Sequence, residues 1–143
     1  MRRAVFDTTV LISAFLRPDG LSDELLRLAA AQKFALVLAP EIIAETWRKL
    51  LGSTRLRARY QYSDERAHLF CRGLLRISEI IRDVPPITGV VRDPNDDMIV
   101  ACAVHGSAQH LVTRDKDLLS IGAYQNVTMT PPEQFRMLLR QDA

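Results

Sequence analysis

No apolar run in these 143 residues approaches the roughly 20 that a helix needs to span a bilayer, which excludes a membrane-spanning helix. Behind Met1-Arg2-Arg3 there is no apolar stretch followed by a small-residue cleavage site. No secretory signal is therefore expected, and a cytoplasmic location is. The two cysteines, Cys71 and Cys102, lie in apolar, helix-like surroundings without CxxC spacing, as buried free thiols in a reducing compartment would. Net charge is also scarce, at +2, too small by itself to argue for a nucleic-acid partner. There is no internal repeat, low-complexity tract or composition shift to mark a linker. One domain over residues 1–143 is the expectation.

What is present begins with an apolar fraction of 48%, enough for one core, and a mean hydropathy near zero. Short apolar runs alternate with helical patterns, the signature of a parallel sheet covered on both faces. Strands are expected at Ala4–Phe6, Phe34–Leu38, Glu79–Arg82, His110–Val112 and Val127–Met129. Thr8 or Thr9 is a candidate cap for a helix to about Leu16, stopped by Pro18-Asp19-Gly20. Ser22 is a candidate cap for Asp23–Ala31, and Pro40 opens a helix to Leu51 closed by Gly52. A longer helix starts at Ser63-Asp64-Glu65. Another starts at Asp93-Pro94-Asn95-Asp96, with Asp93 as cap and Asp96 completing a capping-box-like pair. The segment Met98–Val104 is apolar nearly all round and so reads as buried. Pro131-Pro132 starts a final helix over Glu133–Leu139.

Arginine dominates the basic residues, and Arg48, Lys49, Arg55, Arg57, Arg59 and Arg66 gather in one stretch with Tyr60 and Tyr62 between them. Guanidinium forks match phosphates and tyrosine rings stack on bases, so the stretch suits an RNA track. A solvated helix end and loop accounts for the same residues equally well.

The acids are more informative. In open α/β sheets ligands bind at the carboxyl ends of strands. Asp7 follows the first strand, Asp115 follows Leu111-Val112, Asp96 opens a buried helix and Glu45 lies on the helix after the second strand. Carboxylates that converge repel one another unless a cation sits among them. With no Cys or His nearby, a hard cation such as Mg²⁺ or Mn²⁺ is the natural partner. Each acid has a plainer alternative: a turn or cap for Asp7 and Asp115, an i,i+4 pair with Lys49 for Glu45, a capping box for Asp96. Glu41, Asp97 and Asp117 compete as neighbours, Asp117 as the cap of a short helix at Leu118-Leu119.

Four runs together resemble the motifs of the PIN-domain family. Val5-Phe6-Asp7-Thr8-Thr9-Val10 resembles its opening, a strand ending in Asp followed by Thr or Ser. Pro40-Glu41-Ile42-Ile43-Ala44-Glu45 resembles its second motif, with the final Glu as the acid. Asp93-Pro94-Asn95-Asp96-Asp97-Met98-Ile99 resembles its third, and Leu111-Val112-Thr113-Arg114-Asp115-Lys116-Asp117 its fourth. The order is right and the match spans essentially the whole chain, with most similarity to the group related to toxins of type II toxin–antitoxin pairs. One departure is Thr9, where many members carry Asn, so a hydroxyl would replace an amide beside the first acid.

The resemblance implies a three-layer α/β/α sandwich with a central, mostly parallel sheet, and divalent-metal-dependent endoribonuclease activity. It implies Mg²⁺ or Mn²⁺ held by Asp7, Glu45, Asp96 and Asp115, with water attacking the scissile phosphate in line. Thr8, Thr9, Thr113 and Asp117 would support those acids from behind, and Arg114, Lys116 and Arg48 would contact RNA. A homodimer and an antitoxin protein that covers the acids are the implied partners. A solitary nuclease of RNA processing or decay, or a non-catalytic RNA-binding member, would carry much the same motifs. Two other classes with an Asp after the first strand fit poorly. A haloacid-dehalogenase-like phosphatase needs a second Asp where Thr9 stands, and only fragments of a phosphoacceptor receiver's set are present.

Overall fold

The alternating pattern resolves, in a computed structural model that describes residues 1–143, into six strands and eight helices. The first half runs β1 (Arg3–Phe6), α1 (Thr8–Leu16), α2 (Leu21–Ala30), β2 (Ala35–Leu38), α3 (Pro40–Gly52), α4 (Thr54–Tyr60) and α5 (Asp64–Ile77). The second runs β3 (Ser78–Ile80), α6 (Pro94–His105), β4 (His110–Val112), α7 (Lys116–Ile121), β5 (Ala123–Tyr124), β6 (Val127–Thr130) and α8 (Pro132–Asp142). The strands form one sheet in the order β3-β2-β1-β4-β6-β5, parallel except for the β5–β6 pair. Helices cover this mostly parallel sheet, as the alternating pattern predicts, in the three-layer α/β/α sandwich that the family resemblance implies. Helix α6 packs on β1, β2, β4 and β6, while α1 packs on α2 and α3, α3 on α5 and α2 on α8.

The sheet is buried because its central strands are apolar on both faces: Ala4, Val5, Phe6, Leu111 and Val112 are all fully inaccessible. Phe6, Phe34 and Phe135 pack ring against ring beside it, with centroids 5.7, 6.1 and 4.9 Å apart. These three are among the largest fully buried side chains of a 34-residue core. Gly106, where α6 ends, allows a close approach to the sheet; a Cβ there would sit 2.6 Å from the Val37 side chain.

The topology fixes where a site can form. From β1 the chain steps to β2 and β3 on one side, while β4 and β6 lie on the other, so the order reverses between β1 and β4. At that switch the carboxyl ends of two neighbouring strands leave a crevice. The register pairs Phe6 with Val112, so the residues that follow, Asp7 and Thr113, emerge side by side. The Asp7 N–H donates to the Val112 carbonyl at 3.1 Å and extends the ladder to the crevice's edge.

Several local expectations are corrected. Helix α1 is capped by Asp7, whose carboxylate accepts the Val10 N–H, and neither Thr8 nor Thr9 caps it. Helix α2 begins after Gly20 with no side-chain cap, and Ser22 is buried in its first turn. Asp115, not Asp117, caps α7. The arginine-rich stretch contains a seven-residue helix, α4, which Ser53 starts by accepting the Leu56 N–H at 3.1 Å. The two-residue β5 returns antiparallel to β6 and carries no alternating pattern to announce it.

Candidate active site

The crevice between β1 and β4 is a small cavity of about 40 Å³ in which four acids meet: Asp7, Glu45, Asp96 and Asp115. Asp93 and Asn95 line it too, and Lys49 is its one cation. Four elements deliver the acids. Asp7 leaves β1, Glu45 sits in the second turn of α3, Asp96 lies in the first turn of α6, and Asp115 caps α7 just past β4.

Asp7 is held most firmly. It is 4% exposed, accepts the Val10 N–H on Oδ1 at 2.9 Å and accepts the Thr113 hydroxyl on Oδ2. Thr113 Oγ1 in turn accepts the Asp115 N–H at 3.0 Å, so one buried threonine ties the first acid to the backbone of the last. Burial pushes the Asp7 pKa above the ordinary carboxylate value, the Thr113 and Val10 bonds pull it back, and the Asp115 charge raises it again. Asp96 is half-buried and pushed up to about 7, first by desolvation, then by the charges of Asp115 and Asp93 and a carboxyl–carboxylate hydrogen bond to Asp115. Glu45 faces the cavity and also takes the Lys49 ammonium at 3.3 Å, the i,i+4 pair that its spacing suggests.

The neighbouring acids separate clearly. Glu41 is exposed one turn before Glu45 and lies outside the cavity. Asp97 is turned by the helix away from Asp96 and buried. Its carboxylate accepts the N–H groups of Gly89, Val90 and Val91 at 3.1, 3.1 and 2.8 Å, pinning the loop before α6. Asp93 caps α6 by accepting the Asn95 N–H at 3.0 Å, while the Asp96 carboxyl faces Asp115 and closes no capping box.

Of the supporting residues expected around these acids, Thr113 alone bonds one of them through its side chain. Thr9 is exposed and lines the cavity without touching Asp7, and the Asp117 carboxylate is exposed outside it. Thr8 lines the cavity at 3% exposure, and its buried hydroxyl has no partner at all. Among the basic candidates, Arg114 pairs with Glu133 at 2.5 Å beside a neighbouring groove. Lys116 and Arg48 are exposed and line neither cavity nor groove. Sequence reasoning gave Asp93 only a capping role and overlooked Asn95. Lys49, expected four residues after Glu45 as its ion-pair partner, also lines the cavity, a place its spacing alone did not give.

The donor set suits a hard divalent cation: oxygen throughout, five carboxyl groups against one ammonium, and an orphaned hydroxyl facing the cavity. In this conformation no group of three or more His, Cys, Asp or Glu side chains is drawn together tightly enough to hold an ion. A family model described as "PIN domain" matches residues 3–117. An uncharacterised protein of Methanocaldococcus jannaschii is 32% identical over 121 residues, covering 83% of this chain and 74% of its own. Two solved structures share the fold. VapBC2 of Rickettsia felis, bound to a DNA fragment from its promoter, superposes with a TM-score of 0.65 at 18% identity, over 90% of this chain and 98% of that one. FitAcB of Neisseria gonorrhoeae superposes with 0.58 at 17% identity, over 91% and 98%.

Proposed function

Because this chain belongs to the PIN-domain family, we propose that it is a divalent-metal-dependent endoribonuclease, acting as the toxin of a toxin–antitoxin pair. The observation that carries the reading is the meeting of Asp7, Glu45, Asp96 and Asp115 in one crevice at the sheet's switch point. Such a concentration of carboxylates raises the free energy of the empty fold, so a fold that retains it has a use for a cation there.

Mg²⁺ or Mn²⁺, held by those four side chains, would neutralise charge on the scissile phosphoryl group and lower the pKa of the attacking water. The protein's own part is to fix donors in advance. Thr113 and the Val10 N–H hold both oxygens of Asp7, and the Asp117 N–H holds Oδ1 of Asp115 at 2.9 Å. Asp96, whose proton affinity burial and its acidic neighbours raise, would hold the ion as a carboxylate. Lys49 is placed to trade its contact with Glu45 for a phosphate oxygen.

RNA as the substrate follows the family resemblance, and the antitoxin follows the two fold neighbours, whose names are those of paired systems. An antitoxin would cover the cavity and set a basic side chain, most suitably Arg, among the carboxylates. A homodimer in the cytoplasm completes the reading, and no helix is long and apolar enough to cross a membrane. Calorimetric titration with Mn²⁺ should give a binding heat that Asp96→Asn removes. Expression alone should arrest growth, with relief by the neighbouring reading frame. Normal growth with active enzyme would leave a solitary nuclease, and no Mn²⁺ heat would leave a non-catalytic RNA-binding protein.

A further inference from the structure

Beside the acid crevice, and sharing Thr9 with it, lies a larger groove of about 410 Å³ between α1 and α4. Its rim carries four guanidinium groups, from Arg17, Arg55, Arg59 and Arg114, and no carboxylate lines it. Its apolar lining includes Val10, Leu16, Leu56 and the half-buried ring of Tyr60.

The arginines of the basic stretch are sorted by the fold. Arg57 is engaged: it pairs with Asp64, donates to the Leu51 carbonyl at 3.1 Å and lies over the Tyr62 ring. Tyr62 is buried with its hydroxyl donating to the Leu50 carbonyl at 2.6 Å, so it is core. Arg55 and Arg59, one turn apart on α4, face the groove instead. Like Arg17 they are exposed and pair with no carboxylate. Arg59 sits 5.4 Å over the Tyr60 ring and leaves that ring at the groove wall. Three unpaired guanidinium groups on one concave surface repel each other in the free protein, and a phosphate chain relieves that.

We propose that this groove binds the single-stranded stretch of RNA on one side of the scissile bond. Arg17, Arg55 and Arg59 would hold phosphates, and Tyr60 would stack one base against the apolar floor. Charged rim, apolar floor and aromatic wall are the parts of a single-strand platform that reads little sequence. Thr9 lines both the groove and the acid crevice, so a strand held in the groove lies next to the acids. Arg114 also acts here, although its pairing with Glu133 makes it the weaker phosphate ligand. The inference rests on RNA being the substrate, and it assigns residues that the acid site does not use.

The test is binding of a short fluorescein-labelled oligouridylate in chelator, where no cleavage is needed, by full-length protein at a series of salt concentrations. Arg55→Glu with Arg59→Glu should weaken binding at least about tenfold and lower the salt slope by about 1.4, two phosphates at ~0.7 each. Tyr60→Leu keeps the apolar bulk and should still cost roughly tenfold, because stacking is lost. Arg72→Glu with Arg76→Glu, on the exposed side of α5, should bind as wild type. Equal weakening by the α5 pair would mean diffuse electrostatics and overturn the proposal, as would a Tyr60→Leu protein that binds normally. If the α4 pair spared RNA but lost a co-expressed acidic protein partner, the groove would be a protein-docking surface and the proposal would fail. Groove-dependent binding without any cleavage in Mg²⁺ or Mn²⁺ would uphold the groove and defeat the nuclease reading. Cleavage with an unchanged KM in the α4 variant would do the reverse.

Discussion

Replacing Asp96 with Asn should abolish cleavage and, in chelator, stabilise the protein at alkaline pH while leaving it unchanged in acid. Asp96 takes up its proton at about 7 in the folded chain, against an ordinary aspartate value of 3.8. A group whose folded pKa is raised contributes stability that is fully present below the unfolded value and is lost as pH rises through the folded one. The loss therefore falls between about pH 4 and pH 7 for the wild type. A shift of that size corresponds to ~4 kcal/mol at ~1.4 kcal/mol per unit in a fully shielded site. Asp96 is only half-buried, and solvent screening reduces this to ~1–2 kcal/mol. Asn mimics the protonated acid: its amide can still donate to Asp115, and it never charges. For a chain of this size the variant should melt about 3–6 °C above wild type near pH 8, and together with it near pH 4. Asp7, raised by burial, adds a loss of the same sign. His110, whose pKa burial lowers, adds stability that is present above its unfolded value and lost as pH falls. His110 cancels in the difference between the two proteins, which reports Asp96 together with its coupling to Asp115, Asp93 and Asp7. Thermal melts across pH in EDTA are the assay. Parallel curves would refute the account of Asp96, as would a less stable variant at pH 8.

Asp7→Asn, Glu45→Gln and Asp115→Asn should each cut RNA cleavage by orders of magnitude, whereas Glu41→Gln, on the exposed turn outside the cavity, should cut at nearly the wild-type rate. Asp97→Asn should spare activity more than Asp96→Asn does and act on stability instead. It weakens three bonds to backbone N–H groups and should cost ~1–3 kcal/mol, with faster amide exchange at residues 89–91. Larger activity loss for Asp97→Asn than for Asp96→Asn at matched folded fraction would reverse the assignment of the two. Thr113→Val keeps the shape and removes the hydroxyl between Asp7 and Asp115. It should destabilise by ~1–3 kcal/mol and weaken Mn²⁺ binding, and a Mn²⁺ affinity equal to wild type would disprove the relay.

The central strands and their order along the chain were legible because buried parallel strands are short apolar runs with β-branched or aromatic residues, as at Val5-Phe6 and Leu111-Val112. The meeting of the four acids was legible for a related reason: Asp7 and Asp115 follow strands, Asp96 opens a helix, Glu45 lies on the helix after β2, and strand ends share one edge. Misreadings arose where two local signals competed. Asp7 and Asp115 each carry a cap as well as facing the crevice, and the sequence offered Thr8, Thr9 and Asp117 as rival caps. Helix α4 has no apolar period because its environment is half solvent, and Gly52-Ser53 reads as a stop although Ser53 is also a start. Asp97 was undervalued because its partners are backbone N–H groups of an irregular loop, which leave no pattern in side chains.

If the acid crevice cuts RNA with a divalent cation, the cut ends depend on both the metal and Asp96. The direct measurement is end-mapping of a mixed RNA pool after incubation with wild-type and Asp96→Asn protein, in Mg²⁺, in Mn²⁺ and in chelator. New 5′-phosphate and 3′-hydroxyl ends that need both the metal and Asp96 are the predicted result. Ends that form in chelator, or that the folded Asp96→Asn protein makes at the wild-type rate, would contradict it.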